Sequence, residues 1–225
     1  MADVFSTYDA VGNREDLSDM IYDISPMETP FVSGISKNSA TATNHEWQTD
    51  SLATAANNAV IEGADAATTV SSPTTRLGNY TQISSKVPQV SRTQRQIDSA
   101  GRGDEMDYQV MKMAKELKRD QEVALLANKA KVAGSEVLAR ELAGIESWIA
   151  TNTVVGATGS AATGDGTDAR TAGTLTAFDE ADLKTVLASC WDEGGNSDVI
   201  MVGSFNKQDM SSVVGGGASG PAQRN

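Results

Sequence analysis

Residues 104–131 limit what this chain can fold into more than any other stretch, because their apolar side chains recur at the spacing of one long helix. The recurring positions form a single, mainly apolar stripe: Met106, Val110, Met113, Leu117, Gln121, Ala124 and Asn128. Charged residues fall mostly off that stripe, so one face is predicted to be buried and the other to face water. Asp104 can accept hydrogen bonds from the first amide groups, and Gly134 is predicted to mark the helix end. With ~1.5 Å of rise per residue the helix would be about 40 Å long, which indicates the rigid bar of an extended or assembled protein.

The composition predicts a small hydrophobic core. Hydrophobic residues make up 39% of the 225 residues and aromatic residues only 5%, which is less than a typical globular domain contains. We therefore expect neighbouring chains to supply part of the stability. The net charge of −12 opposes binding to nucleic acid or anionic lipid, because neutralising phosphates requires a surplus of Lys and Arg. No stretch approaches the ~20 apolar residues that span a bilayer, so a membrane is not expected as a partner.

Residues 41–95 are predicted to form a long two-stranded ribbon. One strand is expected at residues 45–52. The second is expected along an alternating set of residues: Leu77, Thr81, Ile83, Ser85 and Val87. Small residues fill the segment between the strands, with Glu62 and Gly63 near its middle. A ribbon of two strands is marginally stable in water, so this one is expected to rest on another surface.

Residues 1–40 are predicted to form an arm with one short helix at 16–24. Pro26 and Pro30 follow, and they are expected to end any helix and force an extended course. Five apolar residues then lie along an extended strip that little nearby sequence can cover: Ile24, Met27, Phe31, Val32 and Ile35. Such a strip is expected to pack on another surface.

The second half of the chain is predicted to contain three further helices. Ser135 is expected to cap the first of them, in which four apolar residues share one face: Leu138, Leu142, Ile145 and Ile149. A connecting loop rich in glycine is expected at residues 151–173. The next helix is predicted to begin at Thr176 and to stop at Gly194. A short buried strand at 198–202 and a final helix at 206–213, capped by Ser204, complete the pattern.

Residues that could carry catalysis or bind a metal are few. His45 is the single histidine, and a structural or surface role is favoured because one imidazole builds neither a triad nor a histidine-rich metal site. Cys190 is the single cysteine and is expected to be an inert buried thiol. The glycine-rich residues 156–166 lack the Lys-Ser or Lys-Thr that closes a phosphate-binding loop. Asp165 and Asp168 lack the twelve-residue calcium-binding loop. We therefore predict no catalytic, cofactor-binding or metal-binding residues and no cofactor.

Four basic residues on the long helix leave a nucleic-acid-binding alternative open: Lys112, Lys115, Lys118 and Arg119. Three acidic residues, Glu116, Asp120 and Glu122, interleave with them at helical neighbour spacing. This pattern favours a solvated face that is paired within the helix. No aromatic stacking platform for bases accompanies these charges.

Short motifs in a fixed order carry a resemblance to a known family. The motifs are ISPMETPF at residues 24–31, RELAGIESWI at 140–149, WDEGG at 191–195 and VIMV at 199–202. Together with the ribbon and the long helix between them, they resemble the major capsid proteins of tailed bacteriophages with the Hong Kong 97-type fold, especially a short-tailed-phage branch. The resemblance covers nearly the whole chain, and the order of the parts contributes more to it than any single motif.

The resemblance implies an α+β fold with five parts. They are an N-terminal arm at 1–40, an extended β-ribbon loop at 41–95 that overlaps a neighbouring subunit, a peripheral domain at 96–150 with a spine helix at 104–131, a connection at 151–173, and an incomplete axial domain at 174–225. Family members carry further strands after the segment that matches residues 199–214. The native protein is therefore expected to continue past Asn225.

The resemblance also implies a function and a set of partners. It implies a structural protein, not an enzyme, that self-assembles as hexamers and pentamers into the icosahedral head around phage double-stranded DNA. Assembly is expected in the host cytoplasm, with scaffolding, portal and decoration proteins as candidate partners. DNA is expected to make only weak or non-specific contact, because the acidic chain repels it. Some capsids of this family are crosslinked through a ribbon lysine, which residues 41–85 lack, so no such crosslink is expected. Two alternatives stay open: an encapsulin-like cellular shell protein, and a small α/β enzyme that uses residues 176–214.

Overall fold

The computed structural model describes residues 21, 28–65, 68, 71–101 and 103–214. The chain divides into two compact units, one made of residues 1–37 and 84–123 and the other of residues 38–83 and 124–225. Helices and strands both occur, in agreement with the α+β prediction at that coarse level. Within the described ranges, no helix is both long enough and apolar enough to cross a lipid bilayer.

The first unit contains α1 (Pro30–Gly34), α2 (Arg92–Gln96) and most of α3 (Glu105–Leu126). Helix α3 confirms the predicted long helix and its start, where Asp104 Oδ1 accepts a hydrogen bond from the Met106 amide at 2.7 Å. Its 22 residues give a length of about 33 Å at ~1.5 Å per residue.

The predicted end of α3 is wrong by five residues. After Leu126, backbone amide groups form hydrogen bonds with distant parts of the chain instead of with the preceding helical turn. The Lys131 amide donates to the Gly166 carbonyl at 2.8 Å, and Val132 forms an antiparallel bridge with Glu141. Amides that are engaged in this way cannot continue the i to i−4 pattern of a helix. Gly134 therefore lies in a turn beyond the helix, with a φ of 75°.

The apolar stripe of α3 is only partly covered in the single chain. Met106, Met113 and Leu117 are half-buried, whereas Val110 is exposed, and no residue of α3 is fully buried. The stripe is therefore correctly located, but the prediction that it is buried does not hold for one copy of the chain.

The expected extended course is wrong at α1, where Pro30 begins a one-turn helix. Proline suits the first helical position because its fixed φ is already helical and its missing N–H has no partner there. Val32 is buried in this turn. The predicted helix at 16–24 lies, apart from Ile21, outside the described residues.

The second unit contains the predicted ribbon, in a shorter form. Strand β1 (Asn44–Thr49) pairs antiparallel with β2 (Thr75–Tyr80), in a register that runs from Asn44 opposite Tyr80 to Thr49 opposite Thr75. The second strand begins and ends earlier than predicted, and Ile83 and Val87 beyond it are exposed. The connecting segment turns at Gly63, whose φ of 83° is in the left-handed region that favours glycine.

The helix predicted after Ser135 is wrong. Ser135 Oγ accepts hydrogen bonds from the Val137 and Leu138 amides at 3.3 and 3.1 Å, and so it caps a turn rather than a helix. Only the 3₁₀ turn Ile145–Trp148 is helical in this region.

Long-range hydrogen bonds explain that difference. The Ala143 amide donates to Asn79 Oδ1 at 2.9 Å, and the Leu142 amide donates to Gln82 Oε1 at 3.3 Å. The segment is thereby held extended along the ribbon, and these partners lie more than 50 residues away in sequence. A local apolar spacing carries no information about them.

The last two predicted helices are confirmed as α4 (Glu180–Asp192) and α5 (Ser204–Val214). Helix α4 begins four residues after Thr176, because Asp179 provides the cap by accepting a hydrogen bond from the Ala181 amide. It ends at the predicted glycines, where the Gly194 amide donates to the Trp191 carbonyl at 2.9 Å.

The short buried strand predicted at residues 198–202 does not form. Val199, Ile200 and Met201 are exposed, and no described strand pairs with them. A strand without a ladder partner leaves its backbone groups to water, so its apolar sequence alone cannot stabilise it. The glycine-rich stretch at 215–221 lies outside the described residues.

Candidate assembly surfaces

Trp148 is the centre of the packing in the second unit. Its ring lies 5.1 Å from the Trp47 ring of β1, and Lys131 Nζ lies 5.6 Å from its centroid. Gly166 packs on the same ring so closely that a Cβ there would lie 2.6 Å from it. Three small residues of the same unit are buried: Ala143, Ser147 and Ala162.

Lys131 joins the ribbon to the glycine-rich segment. Its ammonium group donates to the Gly78 carbonyl of β2 at 2.6 Å and to the Asp165 carbonyl at 2.9 Å. Hydrogen bonds from a charged donor are about twice as strong as neutral ones. Residues 151–173 contain no helix or strand, as predicted. Because Lys131 binds them, they nevertheless pack against the rest of the unit.

The base of the ribbon is held by hydrogen bonds to the rest of the unit, whereas the segment beyond its far end is exposed to solvent. Arg140 Nε donates to the Thr81 carbonyl at 2.5 Å, next to β2. Beyond β1, every residue from 50 to 65 is exposed. The most exposed large side chains there are Leu52, Val60 and Ile61, at 99%, 81% and 84%. A surface of this kind is typical of a segment that is covered by another molecule.

Glu122 of α3 holds the start of α1 in the first unit. Its two carboxylate oxygens accept hydrogen bonds from the Phe31 and Val32 amides, at 2.8 and 2.7 Å. These amides have no partner within α1, because the first turn of any helix leaves its N–H groups free. The carboxylate satisfies both of them and attaches α1 to α3 across 90 residues of sequence.

Lys86 binds the other two acidic residues that were expected to pair within α3. Its ammonium group lies 2.9 Å from Asp120 and 3.3 Å from Glu116. The hydrogen bond that Lys86 donates to Asp120 is the main reason why the pKa of Lys86 is raised, while partial burial opposes the shift. The expected pairing within the helix is therefore wrong for these residues, since Glu116, Asp120 and Glu122 all bind groups outside α3.

The two aspartates considered for calcium stabilise their own loop. Asp165 Oδ1 accepts hydrogen bonds from the Thr167 hydroxyl and amide, at 2.5 and 2.8 Å, and from the Thr163 hydroxyl at 3.0 Å. Asp168 Oδ1 accepts from the Thr163 hydroxyl at 2.6 Å. These bonds hold the pKa of Asp165 below its usual value, with the Thr167 hydroxyl as the largest cause.

The lowered pKa of Asp165 predicts a loss of stability in acid. Because its folded pKa lies below the unfolded value of 3.8, its contribution is present above that pH and disappears as the pH falls through the folded pKa. We expect Asp165→Asn to flatten the fall of unfolding free energy below about pH 3.8, as measured by urea denaturation in a pH series. Asp50→Asn, in the exposed segment, is the control, and an equal flattening in that variant would contradict the assignment.

The other candidate residues lie apart from one another. His45 is on β1, with its ring 6.1 Å from the Trp47 ring. Cys190 is half-buried in α4, so the prediction of a buried thiol holds only in part. In the part of the chain that the structure describes, no three His, Cys, Asp or Glu side chains are grouped so that they could hold a metal ion. That the protein lacks catalytic and metal-binding residues stays a prediction.

In the described residues, charged side chains hold loops and the start of α1 in place, and many large apolar side chains are exposed. Comparison with known proteins identifies the class as bacteriophage capsid proteins. Residues 4–225 match the family described as SU10 major capsid protein, and the chain belongs to that family. It is thus a component of the virion capsid.

A curated relative supports the same class. The chain is 42% identical over 129 residues to the major capsid protein of Escherichia phage Phieco32. The match takes in 57% of this chain and 37% of that protein, so the chain spans well under half of the relative's length.

Proposed function

We propose that the protein self-assembles as hexamers and pentamers into an icosahedral phage head that encloses double-stranded DNA, and that its fold is of the Hong Kong 97 type. The observation that carries this proposal is the exposed segment at residues 50–65, whose large apolar side chains have no cover within the chain. Family membership supports the role of a capsid component. Burying such side chains between subunits would supply the hydrophobic stabilisation that the small cores of the chain lack.

The proposed parts follow the order of the described elements. We assign residues 1–40 to the arm, 41–95 to the ribbon loop, 96–150 to the peripheral domain, 151–173 to the connection and 174–225 to the axial domain. The pairing of β1 with β2 supports the second assignment, and the 22-residue helix α3 supports the third. Scaffolding, portal and decoration proteins are proposed partners, and contact with packaged DNA is proposed to be weak because the chain carries a net charge of −12.

Electron microscopy tests the proposal directly. The product of the complete gene is expressed and purified, and negative-stain images are expected to show closed shells of uniform diameter. Monomers alone, over the whole range of concentration and ionic strength that keeps the protein folded, would refute self-assembly. Shells that hold cellular enzymes instead of phage DNA during infection would favour the encapsulin-like alternative.

Covalent crosslinking of subunits is not expected in these shells. Lys86 is the lysine nearest to the ribbon on its C-terminal side, and its raised pKa keeps it as an ammonium ion between Asp120 and Glu116. An ammonium ion has no lone pair with which to attack a side-chain carbonyl group. Purified shells that are boiled in denaturant should therefore run as a single band on a gel. A ladder of multimers that resists denaturant and reductant would show this prediction to be wrong.

A further inference from the structure

Lys129, Gln82 and Glu141 form a polar cluster at the base of the ribbon, within the second unit. The Lys129 ammonium group donates hydrogen bonds to Gln82 Oε1 at 3.4 Å and to Glu141 Oε2 at 3.2 Å. All three residues are half-buried. The cluster thus brings together an amine, a carboxamide and a carboxylate. These groups can form an amide bond between two side chains, with the carboxylate as the base that activates the amine.

Backbone hydrogen bonds hold the amine and the carboxylate of this cluster in place. The Gly144 amide donates to the Lys129 carbonyl at 3.0 Å. Val132 and Glu141 exchange two hydrogen bonds, at 3.0 and 3.1 Å. Residues 129–132 and 141–144 therefore run side by side, with Lys129 and Glu141 on opposite strands of the pair. Reacting groups that are held in position react far faster than the same groups free in solution, because the entropy of bringing them together has already been lost.

The side-chain carbonyl of Gln82 has a second hydrogen-bond donor. The Leu142 amide donates to Gln82 Oε1 at 3.3 Å, so this oxygen accepts from both Leu142 and Lys129. Attack by an amine at Cδ moves negative charge onto Oε1, and a fixed backbone N–H group stabilises such a charge. The Leu142 amide is therefore placed where an oxyanion would develop.

Lys86 has different surroundings and a different expected chemistry. Its ammonium group lies between the carboxylates of Asp120 and Glu116, at 2.9 and 3.3 Å. A carboxylate anion resists attack by an amine, because it is already negatively charged and has no good leaving group. Lys129 instead has one carboxylate that can take its proton and one carboxamide that can be attacked.

We propose that Lys129 and Gln82 join in an isopeptide bond within the chain, with Glu141 relaying the protons. Glu141 takes a proton from the Lys129 ammonium group, and the resulting amine attacks Cδ of Gln82. The Nζ–Cδ bond forms, the Cδ–Nε2 bond breaks, and the two protons that Nζ loses pass to the departing nitrogen. One ammonium ion leaves, so atoms and charge balance without an oxidant or a cofactor. The reaction occurs once in each chain, so it is a self-modification rather than enzymatic turnover.

The bond connects the base of the ribbon to the segment that follows α3. The two residues are 47 positions apart in sequence, and the closed loop contains α2 and α3. A covalent link of this kind restricts the unfolded chain, as a disulfide does. Because the bond lies within one subunit, it does not depend on the proposed assembly. It also leaves unchanged the single band expected for shells on a denaturing gel.

Mass spectrometry of the complete, denatured protein tests the proposal. The wild-type chain is expected to weigh about 17 Da less than its sequence, through the loss of one ammonia. A proteolytic digest should contain a branched peptide in which Lys129 is joined to Gln82. A digest with only unbranched peptides for these residues would overturn the proposal. So would a loss of about 18 Da, one water, with Lys129 joined to Glu141 instead. The measurement needs no shells, so its outcome is independent of the proposed function.

Three variants separate the roles within the cluster. Lys129→Arg keeps the positive charge but supplies no amine, because a guanidinium group stays protonated; it is expected to have its full sequence mass. Glu141→Ala removes the base, and bond formation after cell-free synthesis, followed by mass, is expected to slow at least about a hundredfold. Lys184→Arg is the matched control, because Lys184 pairs with Glu180 on α4 at 2.6 Å; it should keep the loss of ammonia.

Circular dichroism checks that each variant is folded before its mass is interpreted. Loss of ammonia in folded Lys129→Arg would place the reaction elsewhere and overturn the proposal. Bond formation at the wild-type rate in Glu141→Ala would overturn the assignment of Glu141 as the proton relay.

Discussion

Replacing Trp148 by alanine is expected to lower the unfolding free energy of the second unit by about 3 kcal/mol, near the lower end of the range for tryptophan truncation, because the ring is only half-buried. The substitution removes the contacts with Trp47 at 5.1 Å and with the Lys131 ammonium at 5.6 Å. It also leaves a space beside Gly166, whose backbone packs on the ring. The small side chains nearby cannot expand to fill it, so most of the loss remains uncompensated.

Urea denaturation followed by far-ultraviolet circular dichroism measures this effect. Trp191→Ala is the matched control, because that indole is 70% exposed on α4; its cost should stay within about 0.5 kcal/mol. Amide hydrogen exchange adds a local test, since protection in β1 and β2 should fall more in Trp148→Ala than in the control. Equal destabilisation by the two variants would show that Trp148 is not the centre of packing.

The elements that were predicted well are those whose signals are local. Asp104 starts α3 through a hydrogen bond to an amide only two residues away, and α4 ends at the predicted glycines, where the Gly194 amide donates to the Trp191 carbonyl three residues back. The ribbon follows from two runs of strand-forming residues that flank a turn at Gly63. Capping and turn residues act within a few positions, so a single sequence is sufficient to place them.

The elements that were missed depend on partners far away in the chain. The segment after Ser135 is extended because Asn79 and Gln82 bind its amides. Helix α3 stops at Leu126 because the following amides bond to groups such as the Gly166 carbonyl. Helical spacing was present in both places, and tertiary hydrogen bonds overrode it.

The charged face of α3 shows the same limit. Helical spacing correctly placed Glu116, Asp120 and Glu122 beside the lysines, and pairing within the helix was the natural inference from it. Lys86 and α1 compete for those carboxylates from outside α3. No spacing rule within one helix reports such competition, so the partners of these carboxylates became visible only in the folded structure.

Gly144→Ala is expected to destabilise the second unit by about 3 kcal/mol or more. The added methyl group would clash with rigid backbone, and such a clash costs more free energy than a methyl group added beside side chains that can move. A Cβ at this position would lie 1.7 Å from the Ala127 carbonyl oxygen, well inside the contact distance. The clash cannot be relieved by a side-chain rotation, because the neighbour is backbone. The backbone around Gly144 cannot easily move away either, since the Gly144 amide donates to the Lys129 carbonyl at 3.0 Å.

The control for Gly144→Ala separates the steric clash of the added Cβ from the effect of alanine on the backbone entropy of the unfolded chain. Gly144 has an ordinary φ of −73°, so alanine fits its backbone conformation and would by itself add about 0.4–1 kcal/mol through the unfolded state. Gly103→Ala makes the same chemical change where no atom lies within 4 Å of the added Cβ, and it should be neutral or slightly stabilising. A marked loss in thermal stability for Gly144→Ala alone would show that the end of α3 and residue 144 touch backbone to backbone. Equal stability of the two variants would mean that this close approach is absent in solution, and with it the packing that holds the RELAGIESWI motif extended along the ribbon.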